Sequence, residues 1–336
     1  MHASRNSSNS MRNDAKRVHN DYHGKEPSMS TAIYSHPDCQ RHEMGDWHPE
    51  SPARLQAIAD QFINAHIDDL LEHREAPLAA IADIERNHSR NAIGIVRDNV
   101  PAAGDYYPID GDTLLNCHSW QAALRAAGAA VAATDAVIDG AIDNAFCAVR
   151  PPGHHARPTE PMGFCLFNNI AIAAKHALDV RGLERVAIVD FDVHHGNGTA
   201  EAFAGEPRAL MVSFFQHPFY PYVEPEPYTA NRVNVPVPAY SKGDAVRQLV
   251  SEHWLPALHA FQPQMIFISA GFDAHREDDI GGMGLVEADY AWMTQQMMDV
   301  ARLYAGGRIV SCLEGGYNLS ALGRSVVAHV KALAEI

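Results

Sequence analysis

Val186-Ala187-Ile188-Val189-Asp190-Phe191-Asp192-Val193-His194-His195-Gly196-Asn197-Gly198 is the stretch on which the fold turns. Four apolar residues run without alternation into a carboxylate, the pattern of a short strand buried on both faces and ending at a polar rim. Similar runs recur at residues 145–149, 209–212, 265–268 and 308–312. Between them, apolar periodicity predicts helices over 120–138, 168–180, 244–261 and 287–304. In the last, Tyr290, Met293, Met297, Val300 and Tyr304 share one face, a core stripe rather than a binding groove. Alternating strands and helices imply a parallel sheet with helices on both faces. Ligands in such sheets sit beyond the carboxyl ends of the strands, so chemistry is sought there.

Side chains alternate along a strand, which places Asp190, Asp192 and His194 on one face at its end. Three ionisable groups there are costly to bury unless paired or bound to metal. For any one of them a structural hydrogen-bond network would be the better reading; three in register point to a metal. Residues 265–268 lead to Ser269-Ala270-Gly271-Phe272-Asp273, a further carboxylate at a further strand end. One imidazole and two carboxylates, from Asp192, His194 and Asp273, leave room for water and substrate, as a catalytic zinc requires. Residues 145–149 run into Arg150-Pro151-Pro152-Gly153-His154-His155. An imidazole beside a metal can take a proton from an activated water and return it to a leaving amine. Its other nitrogen then needs an acceptor, for which Asp190 and Asn197 are the candidates. In Glu314-Gly315-Gly316-Tyr317-Asn318 the glycines let the backbone approach and aim Tyr317 into the cleft as an oxyanion donor. Taken alone, that turn would read as structural.

The chain has 336 residues and a formal charge of -15. Residues 1–28 carry five basic and three acidic groups, leaving -17 for the remainder. Such a body repels nucleic acid and anionic membrane and attracts cationic molecules. Residues 1–28 are rich in Ser, Asn, His and charge, and read as a disordered extension; 29–336 read as one continuous domain. The five cysteines are odd in number, widely spaced and without a CxxC pair, which points to free thiols in a reducing compartment. With no apolar signal core and no run of membrane-spanning length, the expected location is cytoplasmic. A homo-oligomer is compatible with all of this.

In chain order, residues 48–54 (His48-Pro49-Glu50-Ser51-Pro52-Ala53-Arg54), 150–155, 163–169 (Gly163-Phe164-Cys165-Leu166-Phe167-Asn168-Asn169), 190–198, 271–273 and 314–317 resemble the histone deacetylase and acetylpolyamine amidohydrolase superfamily. Within it the chain looks like a bacterial class II-like histone deacetylase-like amidohydrolase. The resemblance implies an arginase/deacetylase-like three-layer α/β fold, with a mainly parallel eight-stranded sheet flanked by helices. It makes Asp192, His194 and Asp273 the ligands of one zinc, His155 the general base and acid, and His154 its electrostatic partner. Tyr317 becomes the carbonyl-polarising donor. Asn197 stands where some members carry a second aspartate. A structural potassium is implied at Asp190, Ser213, Phe214 and the carbonyls of Asp192 and His194. Phe164 and Tyr220 become tunnel walls, and Arg54 the lining of an acetate cavity. Ser51 and Pro52 read as a helix start with a capping hydroxyl and proline in the first turn, where a cation such as Arg54 is disfavoured by the helix dipole.

The implied function is hydrolysis of the acetyl or acyl amide of acyl-lysine side chains or related acylated amines by a metal-activated water. Acetylpolyamines are the rival substrates. Ile280 occupies the position where polyamine deacetylases of the family can carry an acidic gatekeeper, and its apolar side chain favours acyl-lysine. Asp279 replaces a usual proline, and residues 221–227 replace a usual glycine-threonine-glycine, so the rim is altered. An arginase-like hydrolase would need a second metal with bridging aspartates, and only one ligand set is legible. A non-catalytic acyl-lysine binder is disfavoured by the presence of Tyr317, both histidines and all three ligands.

Overall fold

The computed structural model describes residues 30–336. The expected disordered extension, residues 1–28, lies outside the described residues. Ten strands follow in chain order: β1 (Thr31–Ser35), β2 (Glu72–Glu75), β3 (Tyr107–Pro108), β4 (Leu114–Leu115), β5 (Asn144–Cys147), β6 (Val186–Asp190), β7 (Ala209–Gln216), β8 (Arg232–Val237), β9 (Met265–Ala270) and β10 (Ile309–Leu313). Eight form one sheet in the order β2-β1-β5-β10-β9-β6-β7-β8, and every pairing in it is parallel. β3 and β4 make a separate antiparallel pair. All five residues of β6 are buried, as expected for an unalternating apolar run in a covered parallel sheet.

Helices cover both faces. On one, Ser119–Ile138 packs against Asn169–Asp179. On the other, Leu319–Ala334 packs between Ala53–Asn64 and Glu287–Val300. Along β5 the alternation is direct: Asn144 and Phe146 contact the helix Leu319–Ala334, while Ala145 and Cys147 face the other layer. Tyr290, Met293, Met297 and Val300 are fully buried, as the core-stripe reading requires.

Three sheet strands escape the sequence pattern. β2 is Glu-His-Arg-Glu on an exposed edge, β1 has an apolar run of only Ala32, Ile33 and Tyr34, and β8 alternates polar residues with Pro236 on the opposite edge, where no ladder donor is needed. The helix expected over 244–261 is continuous but widens over Val250–Trp254. The N–H of Leu255 reaches back to the Val250 carbonyl, because Pro256 has no N–H to continue the regular ladder. The capping hydroxyl expected of Ser51 is not used: the first turn closes through the Ser51 carbonyl, 3.1 Å from the Arg54 N–H. No helix of the described residues is long and apolar enough to cross a membrane.

Register aligns Asp190 of β6 with Ser213 of β7 and Ser269 of β9, so the apolar ladder gives way to polar groups across neighbouring strands at once. That rim carries the site.

Candidate metal centre and active site

Strand geometry ends at Asp190, and a different device carries the chain onward. Asp190 Oδ1 accepts the N–H of Asp192 at 3.1 Å, and Asp192 Oδ1 accepts that of His194 at 2.9 Å. Two successive Asx turns, rather than strand alternation, therefore fold the three side chains together. Asp273 arrives from the end of β9, its Oδ1 accepting the N–H of Val193 at 2.9 Å. The ligand atoms of Asp192, His194 and Asp273 lie within 4.8 Å of one another, and all three residues are buried. Gly315 makes this approach possible: its N–H donates to Asp192 Oδ2 at 2.8 Å, and a Cβ there would lie 2.1 Å from Asp273 Oδ2. Among the described residues no donor hydrogen-bonds Asp273 Oδ2, although His194 Nδ1 is 3.2 Å away. Burial and the neighbouring Asp192 carboxylate push the Asp273 pKa up to about 7. The two buried carboxylates repel each other, and against burial they raise the His194 pKa to about 9, so the cluster draws positive charge to itself.

The tandem histidines flank this cluster. His154 Nδ1 lies 3.0 Å from Asp190 Oδ2, and His155 Nδ1 lies 2.7 Å from Asn197 Oδ1. Asn197 Nδ2 points the other way, to the Met162 sulfur at 3.4 Å, so its oxygen faces the imidazole and His155 Nδ1 is the donor. Burial, then the neighbouring His154 and His194, hold the His155 pKa well below its ordinary value. For His154, burial is outweighed by the Asp192 and Asp190 carboxylates, and the pKa rises. Two adjacent imidazoles are thus driven apart, one toward the neutral base and one toward the cation.

The cavity above them has a volume of about 260 Å³. Phe164, Tyr220, Ile280 and Tyr317 line it, together with Tyr222 of the altered rim and with Phe219 and Asp112, which the sequence did not single out. Phe164 stands edge-on to Tyr317 at 6.0 Å, Tyr220 edge-on to His155 at 5.1 Å, and Phe219 stacks on His194 at 5.2 Å. Burial and the Asp273 carboxylate raise the pKa of the Tyr317 hydroxyl, which keeps it a donor.

Beneath the floor lies a buried charge network of Glu50, Arg54, Arg150 and Glu314, of which the sequence assigns a role only to Arg54, as the lining of an acetate cavity. Glu50 receives Arg54 Nη1 at 3.0 Å and a two-pronged contact from Arg150. Arg54 also donates from Nε to the Gly316 carbonyl at 2.6 Å and from Nη2 to that of Glu314 at 2.5 Å. Every nitrogen of the Arg54 guanidinium is thus engaged by protein oxygen, and pairing with Glu50 offsets its unfavourable position in the helix. The Glu314 carboxylate takes the N–H groups of Gly153 at 2.6 Å and His154 at 3.0 Å.

A profile of the histone deacetylase domain matches residues 48–333. The chain belongs to the histone deacetylase family. Curated family members similar to it include type-2 histone deacetylase 2 of Dictyostelium discoideum, 33% identical over 93% of this chain and 21% of that protein. The histone deacetylase-like amidohydrolase of Pseudomonas aeruginosa is 37% identical over 80% of this chain and 72% of its own length. A probable deacetylase of Archaeoglobus fulgidus is 36% identical over 87% and 82% respectively. Among solved structures, that of the HDA15 HD domain superposes with a TM-score of 0.85 at 34% identity, covering 91% of this chain and 90% of the other. The all-parallel eight-stranded sheet is thus the histone deacetylase-family fold, and the family is one of deacetylases and amidohydrolases acting on amide bonds.

Proposed function

We propose that the protein is a zinc-dependent deacetylase that hydrolyses the acyl amide of acylated lysine side chains or related acylated amines. The observation that carries this reading is the convergence of the Asp192, His194 and Asp273 ligand atoms with His155 and Tyr317 at one cavity. The donor set suits zinc: nitrogen and oxygen ligands, three from protein, one of them an oxygen without a hydrogen bond. When bound, zinc supplies a Lewis acid that polarises the amide carbonyl and acidifies water.

The chain's own residues do the rest. His155, its Nδ1–H donated to Asn197, presents Nε2 to accept a proton from the attacking water. The same nitrogen gives that proton to the amine as the C–N bond breaks, leaving a carboxylate and a free amine. Tyr317 donates to the carbonyl oxygen as negative charge gathers there. His154, paired with Asp190, sets a positive charge beside the same centre. Phe164, Phe219 and Tyr220 grip the stem of the substrate and exclude water. A structural potassium suits the next layer: Ser213 Oγ is buried without a partner and stands in register with Asp190, with Phe214 and the carbonyls of Asp192 and His194 as further ligands.

Apolar Ile280 in the wall favours acyl-lysine, whereas the Asp112 carboxylate in the same lining favours a second reading, small cationic acetylpolyamines. One assay panel separates them: acetyl-lysine peptides, longer acyl-lysines and acetylated polyamines, each with and without a chelator. Turnover of peptides lost with the chelator supports the first reading, and indifference to the chelator refutes zinc dependence. Tyr317→Phe is expected to lower turnover by about 100-fold with zinc content unchanged.

A further inference from the structure

Asp278 is a buried carboxylate to which, among the described residues, no basic side chain is hydrogen-bonded. Its three partners are backbone N–H groups. Oδ2 accepts from Tyr317 at 2.6 Å and from Asn318 at 3.0 Å, while Oδ1 accepts from Ile280 at 3.0 Å. An ionised acceptor makes these bonds about twice as strong as neutral ones. Asp278 sits on the loop after β9, five residues beyond Asp273, while Tyr317 sits on the loop after β10. The carboxylate therefore ties two neighbouring strand ends together through the very amide that precedes the Tyr317 side chain.

From this geometry we infer that Asp278 is the positioning residue for the Tyr317 hydroxyl in the reaction, an inference that rests on the donor role proposed for Tyr317. Two further groups anchor that segment, one of them on the same Gly316–Tyr317 peptide. Arg54 holds the Gly316 carbonyl, and the N–H of Gly315 is taken by Asp192. The Arg54 guanidinium, 5.0 Å from the centre of the Tyr317 ring, and Phe164, edge-on at 6.0 Å, flank that ring. Direction of the side chain depends on the backbone at Tyr317 itself, where the Asp278 carboxylate holds the N–H of the Gly316–Tyr317 peptide and Arg54 holds its carbonyl. A donor displaced by about 1 Å from a developing oxyanion costs on the order of 100-fold in rate.

The test is a double-mutant cycle on the metal-loaded protein, reading kcat, KM and zinc content for Asp278→Ala, Tyr317→Phe and the pair. Asp278→Ala is expected to lower kcat about 10- to 100-fold with KM within about threefold and zinc unchanged. In the Tyr317→Phe background the same change is expected to cost less than about threefold, because the hydroxyl it positions is already gone. Asp278→Asn, which keeps an acceptor oxygen but loses the charge, is expected to fall between and takes the place of the alanine variant in the cycle if that variant does not fold. An undiminished cost in the Tyr317→Phe background, or an unchanged kcat on removing the carboxylate, overturns the inference while leaving the Tyr317 role standing. Full turnover by Tyr317→Phe alone takes down both.

Discussion

Glu50 sets the charge balance of the layer beneath the site. Burial alone would raise its pKa, but the Arg150 and Arg54 guanidinium groups outweigh it and hold the carboxyl at about 2, against an ordinary 4.5. A depressed carboxylate pKa means that its stabilisation is complete above pH 4.5 and lost as pH falls toward about 2, roughly 3 kcal/mol in all. Glu50→Gln strands two buried cations and is expected to cost about 3–5 kcal/mol in urea unfolding. At the same scale, Asn197→Asp would place a negative charge beside His155 Nδ1, at the 2.7 Å contact now made by a neutral amide. The imidazole pKa then rises, and the acid limb of the kcat/KM profile is expected to move to higher pH by about one unit. An unmoved limb would mean that His155 is not the group titrating there.

Among the elements, the helix Ser119–Ile138 is the most tightly constrained at a single point. A Cβ on Gly128 would lie 2.0 Å from the Pro77 carbonyl oxygen and 2.7 Å from the Ala79 nitrogen, both backbone atoms that cannot swing aside. Alanine there, normally the better helix former, is expected to destabilise by about 3 kcal/mol or more, measured as a fall in the urea midpoint. The segment crossing that helix was invisible in the sequence because a helical glycine does not declare what packs on it. By contrast, β5, β6, β7, β9 and β10 were legible, each an apolar run stopped by polar or proline residues. Edge strands were not, since solvent on one side removes the apolar signal. The ligand triad was legible for a partly mistaken reason: Asx turns, not strand alternation, bring Asp192 and His194 together. Asp278 and Glu314 act through backbone amides, and such partners leave no trace in residue type or spacing.

For the molecule as a whole, acid sensitivity is written into its buried imidazoles. Burial holds His42 and His329 to pKa values of about 3 and His88 to about 4, with Arg150 adding to the effect at His42. Each would take up a proton near 6.5 on unfolding, so the stability they lend is complete above that pH and lost below it. Together they amount to about 4 kcal/mol per pH unit around pH 5, well before Glu50 titrates. The apparent Tm is expected to fall below about pH 6.5, less steeply than these three imidazoles alone would make it, because the buried Asp273 and Glu314 carboxyls, raised to about 7, hold protons that the unfolded chain releases. His329→Gln should flatten that fall by about 1.4 kcal/mol per pH unit around pH 5, and a Tm constant down to about pH 4.5 would contradict the account. The sheet order carries a further consequence. β10, the last strand to leave the ribosome, lies between β5 and β9, which are made before it. Until it emerges the nascent sheet is split in two at its centre, each half with an unpaired edge that invites wrong partners. Tyr317 and the Gly315 amide travel with that strand, so a translating ribosome would carry no working site until the gap is closed, and turnover would report a closed sheet rather than partial folding.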